Sequence, residues 1–242
     1  MVAPKRVLAV VPARGGSVGL PGKNLLPVAG EPLIAHTVRL ARAVPEIDRC
    51  VVSTDDDTIA HVAARCGAEV PFRRPAELSN DDTPMAPVVR HALAELEAAG
   101  EAFDAVVLLM PTTPVRRAAD VGAAIRELLR GALDGIVSVS EPPFNPLFVG
   151  VRQAAGGLLE RFSRAGTGLT RRQDAAPFLR VNGLFYVWRA DFVRRLERSW
   201  LDEGRHAGFV TDDFSALDVD TADDYRRLCR LVDAGIVSLP IG

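Results

Sequence analysis

The residues best suited to chemistry lie near the two ends of the chain. "VPARGGSVGLPGKN" (11–24) places Arg14 and Lys23 around four glycines, Gly15, Gly16, Gly19 and Gly22. Near the other end, "LDVD" sets Asp218 and Asp220 two residues apart. The first stretch suits a polyanion. Successive backbone amides of a glycine-rich loop line an anion-binding concavity, and two fixed cations neutralise a polyphosphate and stabilise charge on departing pyrophosphate. The plainer reading, a turn that only reverses the chain, leaves the two cations unexplained. The second stretch suits a divalent cation. In extended backbone, side chains two apart point to one side, and a carboxylate pair completed by water and phosphate oxygens makes a Mg²⁺ site. Its plainer reading is a solvated acidic turn before a helix, capped by Asp220 or Thr221.

Lys23 stands out by composition. Of 29 basic residues only Lys5 and Lys23 are lysine; the other 27 are arginine. A lysine kept inside the loop points to a need for a compact ammonium. The loop is not a P-loop: Ser17 stands where the first glycine belongs, and Asn24 where Ser or Thr is needed. No register of its glycines gives GxGxxG, and Pro21 and Pro27 stiffen it before any helix begins.

The elements that must position these groups follow a β-α-β-α rhythm. "RVLAVVP" (6–12) reads as a buried parallel strand. Helix 31–44, strand 49–55, helix 56–67, a short strand 68–72, helix 84–100, strand 104–111, helix 118–131 and strand 134–141 follow. Asp55, Asp56 and Asp57 read as a cluster satisfying free amides at a helix start. The rhythm predicts a mostly parallel sheet with helices on both faces, an α/β Rossmann-like fold in a single domain over 1–242. Residues 142–180 break it, with prolines, glycines and strand-like fragments. This stretch is too long for a simple connection, and Phe144, Phe148, Leu158, Leu159 and Phe162 predict a dimerisation extension. Strand 183–189, a helix near 190–198 and helix 221–235 close the chain.

Bulk properties exclude other classes. The 242 residues are 48% apolar and 25% charged, with net charge −2, which argues against nucleic acid or an anionic membrane as partner. No apolar run reaches the roughly 18 residues of a membrane span. "MVAPKRVLAVVPARGG" reads as the first strand rather than a signal peptide. Cys50, Cys66 and Cys229, odd in number and without metal-site spacing, predict a reducing, cytoplasmic setting. The scattered His36, His61, His91 and His206 argue against a His/Cys zinc site.

Five blocks, in order, resemble the acylneuraminate cytidylyltransferase (CMP-sialic acid synthetase) family: "PARGGSVGLPGKNL", "VVSTDDDTIAHVAARCGAEVPFRRPAELSNDDT", "LLMPTTPVR", "RRQDAAPFLRVNGLFYV" and "ALDVDTADDY". Any one block is weak; the ordered set is specific and covers most of the chain. The resemblance implies a nucleotide-diphospho-sugar transferase-like fold and a Mg²⁺-dependent reaction. In it the anomeric hydroxyl of an acidic 2-keto-3-deoxy sugar attacks the α-phosphate of CTP and pyrophosphate leaves. It implies a homodimer, with 142–180 reaching the partner. Arg14, Lys23, Asp218 and Asp220 take the catalytic positions, the last two as metal ligands. Ala13, Arg14, Gly15, Gly16, Ser17, Lys23, Asn24 and Arg74 fall at nucleotide positions. Met110, Thr112, Arg172, Gln173, Arg180, Asn182 and Tyr186 fall at acceptor positions, where paired arginines suit a carboxylate. The chain departs from the family at Val18, usually lysine, at Met110, often glutamine, and at "PFNP" (143–146), where a His-His-Pro-like segment is common. These departures put the exact acceptor in question. The alternatives are another acceptor or another NTP, and a nucleotide-binding module of the same fold without turnover.

Overall fold

The computed structural model describes residues 5–240. The four residues ahead of these, part of the opening stretch read as strand rather than leader, lie outside the described residues. Elements follow the chain as β1 (Val7–Pro12), β2 (Pro27–Val28), β3 (Glu31–Pro32), α1 (Leu33–Ala43), β4 (Arg49–Ser53), α2 (Asp57–Arg65), α3 (Met85–Ala98), β5 (Ala105–Leu108) and α4 (Ala118–Arg130). Then come β6 (Gly135–Ser140), α5 (Pro146–Val149), β7 (Val151–Gln153), β8 (Leu159–Arg161), β9 (Arg180–Arg189), α6 (Ala190–Arg195), β10 (His206–Val210) and α7 (Ala222–Asp233).

The main sheet has six strands in the order β10-β6-β9-β5-β1-β4. β1 runs parallel to β4 and β5, and β10 parallel to β6. β9 is antiparallel to both neighbours. Strand alternation splits β1 between two cores. Val7, Ala9 and Val11 pack with Ile34, Val38, Ile59, Ile125 and Leu128 of α1, α2 and α4. Leu8 and Val10 pack with Val89, Leu93, Phe192 and Val193 of α3 and α6. A sheet buried on both faces explains why its strands read as continuous apolar runs. A third cluster joins α7 to the body through Leu217, Val219, Leu228 and Val237.

Four expectations need correction. The helix placed at 31–44 begins at Leu33, because Pro27–Val28 and Glu31–Pro32 pair as a small hairpin across Ala29 and Gly30. The strand placed at 68–72 reduces to one bridge between Glu69 and Val51; Pro71 has no amide to continue a ladder. The strand expected at 183–189 starts at Arg180, with a register irregularity opposite Val137–Val139. Strand β10 had no counterpart in the sequence reading. Its short, glycine-interrupted "HAGFV" carries little apolar signal, yet Gly208 is what fits: a Cβ there would lie 2.8 Å from Val139.

Residues 142–180 form an arm with the β7–β8 hairpin at its centre. Leu158 and Leu159 are each 71% exposed and Phe162 65%.

Candidate active site

The glycine loop leaves the C-terminal end of β1, which lies between β4 and β5. Loops from neighbouring parallel strands diverge there, opening a crevice of the kind α/β sheets use for ligands. Three segments converge: the loop itself, the Met110–Thr113 turn after β5, and the extended Leu217–Asp220 stretch. Along this last stretch burial alternates, Leu217 and Val219 inward and Asp218 and Asp220 outward. The Val219 amide donates to the Thr112 carbonyl at 2.8 Å. Thr221 caps α7 in a reciprocal capping box with Asp224, so the cap of that helix does not occupy Asp220. Gly19 sits where a Cβ would lie 2.8 Å from the Asp220 carbonyl oxygen; a larger residue would push the loop off the acidic segment.

The result is a cleft of about 290 Å³ whose wall includes Arg14, Lys23, Asn24, Arg74, Asp218 and Asp220. Two of its cations are already paired. Lys23 Nζ lies 2.9 Å from Asp220 Oδ1, and Arg14 pairs with Asp81. Asn24 is buried and donates through Nδ2 to the Arg14 carbonyl at 3.1 Å, tying the loop's two cations together. Arg74 is 3% exposed, with Nε donating to Ser53 Oγ at 3.0 Å. Burial pushes its guanidinium down to about 10, against the pull of Asp55. A cation disfavoured by burial is relieved by an arriving anion. Although Asp218 faces the open cleft, the protein packed around its carboxyl desolvates it and raises it above the usual carboxylate range; Asp220 adds to this, while Thr112 and Lys23 oppose it.

A second cavity, about 470 Å³, shares Met85, Met110, Thr112 and Asp218 with the first. It is lined further by Leu108, Tyr186, Trp188, Arg198 and Trp200. Asp218 therefore stands on the border between a charged cleft and an apolar one. The turn that carries Met110 and Thr112 is held from behind by Arg116, which is 5% exposed. Its Nε donates to the Thr113 carbonyl at 2.8 Å and its Nη2 to the Met110 carbonyl. Burial pushes this guanidinium down to about 9.

Other sequence-derived positions lie elsewhere. Ala13 and Ser17 are buried beside the loop. The Gly15 amide donates to Asp55 Oδ1 at 3.0 Å, so that donor is already engaged, and Gly16 is not in the cleft wall. Asp56 caps α2 through the Ile59 amide, as its helix-start role requires. Val18 is 76% exposed, and Arg73 turns outward to Asp57. Arg172 and Gln173 lie exposed in the arm. Arg180 binds Asp213 at 2.6 Å. Asn182 donates to Thr211 Oγ1 at 2.7 Å and accepts from the Leu184 amide, locally bracing β9. None of these four lines either cavity. Sequence reasoning missed Asn80, Asp81 and Thr83, although they sit in "LSNDDT", and it missed Met85, Arg116, Trp188, Arg198 and Trp200. Both tryptophans in one cavity were not visible from spacing, since a strand end and a distant loop bring them together.

Comparison with known proteins agrees with this geometry. Residues 8–141 match the profile of the family described as Cytidylyltransferase. A CMP-N,N'-diacetyllegionaminic acid synthase of Legionella pneumophila is 32% identical over 228 residues, covering 94% of this chain and 97% of that protein. An N-acylneuraminate cytidylyltransferase of Streptococcus agalactiae is 32% identical over 220 residues, covering 90% of this chain and 51% of the longer relative. Among solved structures, a CMP:2-keto-3-deoxy-manno-octonic acid synthetase complexed with CTP superposes with a TM-score of 0.71. It is 21% identical and covers 96% of this chain and all of that one, a likeness of fold. With more than half the chain matching the family profile and nearly its whole length aligning to a relative, the chain belongs to the cytidylyltransferase family.

Proposed function

We propose that the protein transfers CMP from CTP to the anomeric hydroxyl of an acidic 2-keto-3-deoxy sugar and releases pyrophosphate. The observation that carries this is the meeting of two unlike cavities at Asp218: a charged cleft, walled by Arg14, Lys23 and Arg74 with Asp81, Asp218 and Asp220 and suited to a nucleoside triphosphate with its metal, and a larger chamber suited to an acceptor. The names of the Legionella pneumophila and Streptococcus agalactiae relatives, a CMP-sugar-acid synthase and an acylneuraminate cytidylyltransferase, support the same reading. Transfer at phosphorus rests mainly on positioning and charge stabilisation. Lys23 and Arg14 hold the triphosphate and offset charge building on the leaving pyrophosphate. Arg74 receives negative charge in a half-dry wall. The acceptor hydroxyl approaches from the second cavity; its oxygen bonds to the α-phosphorus and its proton passes to solvent as the bond from that phosphorus to the oxygen bridging to the β-phosphate breaks, and pyrophosphate leaves with that oxygen.

Mg²⁺ fits the donor set. Mg²⁺ characteristically takes one or two carboxylates plus phosphate oxygens and water. Asp218 and Asp220 would hold it, and the burial that raises the Asp218 carboxyl makes a neighbouring cation favourable. When bound, the ion supplies positive charge to the phosphate oxygens. Binding also requires Asp220 to give up Lys23, which frees the ammonium for phosphate.

We further propose a two-fold homodimer, in which the apolar arm is covered and Arg172 and Gln173 approach the partner's acceptor cavity. The exposed Leu158, Leu159 and Phe162 support it. A cytoplasmic location fits three free cysteines, Cys50 buried and Cys66 and Cys229 partly so. Among the described residues no helix is long and apolar enough to cross a membrane.

The deciding experiment measures pyrophosphate release with each of the four common NTPs against a panel of keto-sugar acids and sugar phosphates, with Mg²⁺ and with excess chelator. CTP with a keto-sugar acid and metal should give turnover. Release that ignores the base, proceeds without an acceptor, or survives chelation unchanged overturns the corresponding part of the reading. Tight CTP binding without turnover on any acceptor supports a binding module instead.

A further inference from the structure

We propose that Asp55 is a positioning residue for the charged cleft: from behind the wall, its carboxylate holds the glycine loop and Arg74 in one register, so that their cations meet the triphosphate together. This rests on the reading of that cleft as the CTP site.

The consecutive acids Asp55, Asp56 and Asp57 have different partners. Asp56 Oδ1 accepts from the Ile59 amide at 2.9 Å and caps α2. Asp57 pairs with Arg73 at the surface. Asp55 turns to the loop, where its Oδ1 accepts from the Gly15 amide at 3.0 Å. Glycine is what allows the approach, since a Cβ on residue 15 would lie 2.7 Å from Asp56 Oδ2. The strand end that carries Asp55 is the fixed side of this contact. Ser53 and Thr54 are buried. The Ser53 carbonyl accepts from the Ala13 amide at 2.9 Å and from Arg74 Nη2, and Ser53 Oγ accepts from Arg74 Nε at 3.0 Å. The Thr54 carbonyl accepts from the Arg74 amide at 2.8 Å, and Thr54 Oγ1 accepts from the Asp56 amide at 3.1 Å, which sets the turn. Loop and Arg74 therefore both hang on residues 53–55, yet none of these three lines the cleft.

The contact does two kinds of work. A glycine-rich loop loses much backbone freedom when it is ordered. A charge-assisted bond at its first glycine, formed before any ligand arrives, lowers the ordering cost left for CTP binding. The second kind is electrostatic. Arg14 and Arg74 stand in the same wall. Burial disfavours the charge on Arg74, Asp55 favours it, and Arg14 opposes it. An anion behind the wall lets two guanidinium groups share the cleft while it is empty. These roles predict the opposite of what charge alone predicts. A carboxylate near a polyanion site repels the polyanion, so its removal should tighten CTP binding. If Asp55 holds the cations in register, its removal weakens binding.

The test is calorimetric titration of the full chain with CTP, joined to steady-state kinetics in which CTP and a keto-sugar acid are varied in turn. Asp55→Ala removes both the hydrogen bond and the charge. It should raise Kd and KM for CTP about tenfold, the scale of one charge-assisted hydrogen bond, while KM for the acceptor stays within about twofold. Asp55→Asn keeps an oxygen for the Gly15 amide. A neutral hydrogen bond is about half as strong as a charge-assisted one, so the rise should be about threefold. Asp57→Asn should match the wild type, because its carboxylate pairs only with Arg73 at the surface. Should Asp55→Ala fail to fold, Asp55→Asn decides by the same sign. A role confined to stability would lower Tm and leave both KM values alone. Unchanged or tighter CTP binding in the variants that fold, or an equal rise in both KM values, overturns the proposal and leaves CMP transfer standing. A wild-type chain that binds no nucleoside triphosphate overturns the CTP-site reading itself, and the proposal with it.

Discussion

The two cavities that meet at Asp218 are built on opposite principles. In the first cleft two of the three cations are paired before any ligand arrives, Lys23 with Asp220 and Arg14 with Asp81. A ligand there must exchange partners, so the cleft suits a species that brings its own charges. The acceptor cavity is more than half again as large, about 470 Å³ against 290 Å³, and it is walled by rings and thioethers. A ligand there displaces water from apolar surface and needs shape more than charge. The contrast separates the invariant step, handling a triphosphate, from the step in which cytidylyltransferases with different acceptors must differ.

The sharpest way to break this contrast is Lys23→Ala. Lys23 is the only ammonium in the cleft wall, and losing a preorganised charge-stabilising group costs roughly a hundred- to a thousandfold in kcat. The substitution also strands Asp220. Lys23→Arg should recover part of the rate, because charge returns without the compact geometry. Steady-state kinetics with CTP varied reads this, and near-normal activity in Lys23→Ala would remove the phosphate role from the glycine loop.

Asp218→Asn comes next, with an expected fall in kcat of about a hundredfold. It carries an opposite effect on stability. Burial and Asp220 raise the Asp218 carboxyl above its ordinary value in the folded chain. Between the unfolded and folded values the native state therefore binds more protons, and stability drops as pH rises through that window. Above it the full penalty persists; below the unfolded value, 3.8, it is gone. In chelator and without nucleotide, Asp218→Asn should raise Tm at neutral pH, with the gain shrinking toward acid. Thermal melts across pH decide it. A Tm that falls at neutral pH would mean that the carboxylate's hydrogen bond with Thr112 outweighs its desolvation.

The same contrast explains what the sequence could and could not reveal. The charged cleft was legible because the residues that line it are local in sequence. Arg14, Lys23 and Asn24 share one loop, Asp218 and Asp220 one stretch, and a glycine-rich turn with embedded cations has few plain explanations. The sheet was legible where strands are buried on both faces, as in β1 and β5. It failed at edges, where β10 is short and Gly208 interrupts it, and where Pro71 stops a strand after one bridge. The acceptor side was half legible. Met110, Thr112 and Tyr186 came through family blocks, but Trp188, Arg198 and Trp200 reach the cavity only through tertiary folding. Arg180 and Asn182 sit in a matching block, yet in this chain they bond to Asp213 and Thr211.

The arm offers a third test, of about tenfold size. If Arg172 and Gln173 serve the partner's acceptor cavity, Leu158→Glu with Phe162→Glu should yield a monomer by light scattering. KM for the acceptor should rise roughly tenfold, as expected for the loss of a charge-assisted contact, while KM for CTP changes little. A change confined to CTP would reverse the assignment of the arm. An unchanged dimer would place the two-fold interface elsewhere.

The smallest expected effect is the most informative about the loop. The family resemblance puts Val18 at a position implied to hold lysine, so Val18→Lys is expected to tighten CTP binding if position 18 faces the triphosphate. In this structure Val18 is 76% exposed and belongs to neither cavity wall. A charge there is solvated and screened at physiological salt, and exposed ion pairs are worth about 0–1 kcal/mol. KM for CTP should therefore fall by about twofold, and that gain should vanish in high salt. A drop of tenfold or more that persists in salt would require the loop to fold over the triphosphate once CTP is bound, drawing Val18 out of solvent. Such closure would have to work against the stiffness of Pro21 and the close approach of Gly19 to the Asp220 carbonyl. The salt dependence thus separates a loop that stays open from one that closes, and it does so apart from the second cavity, which Val18 does not line.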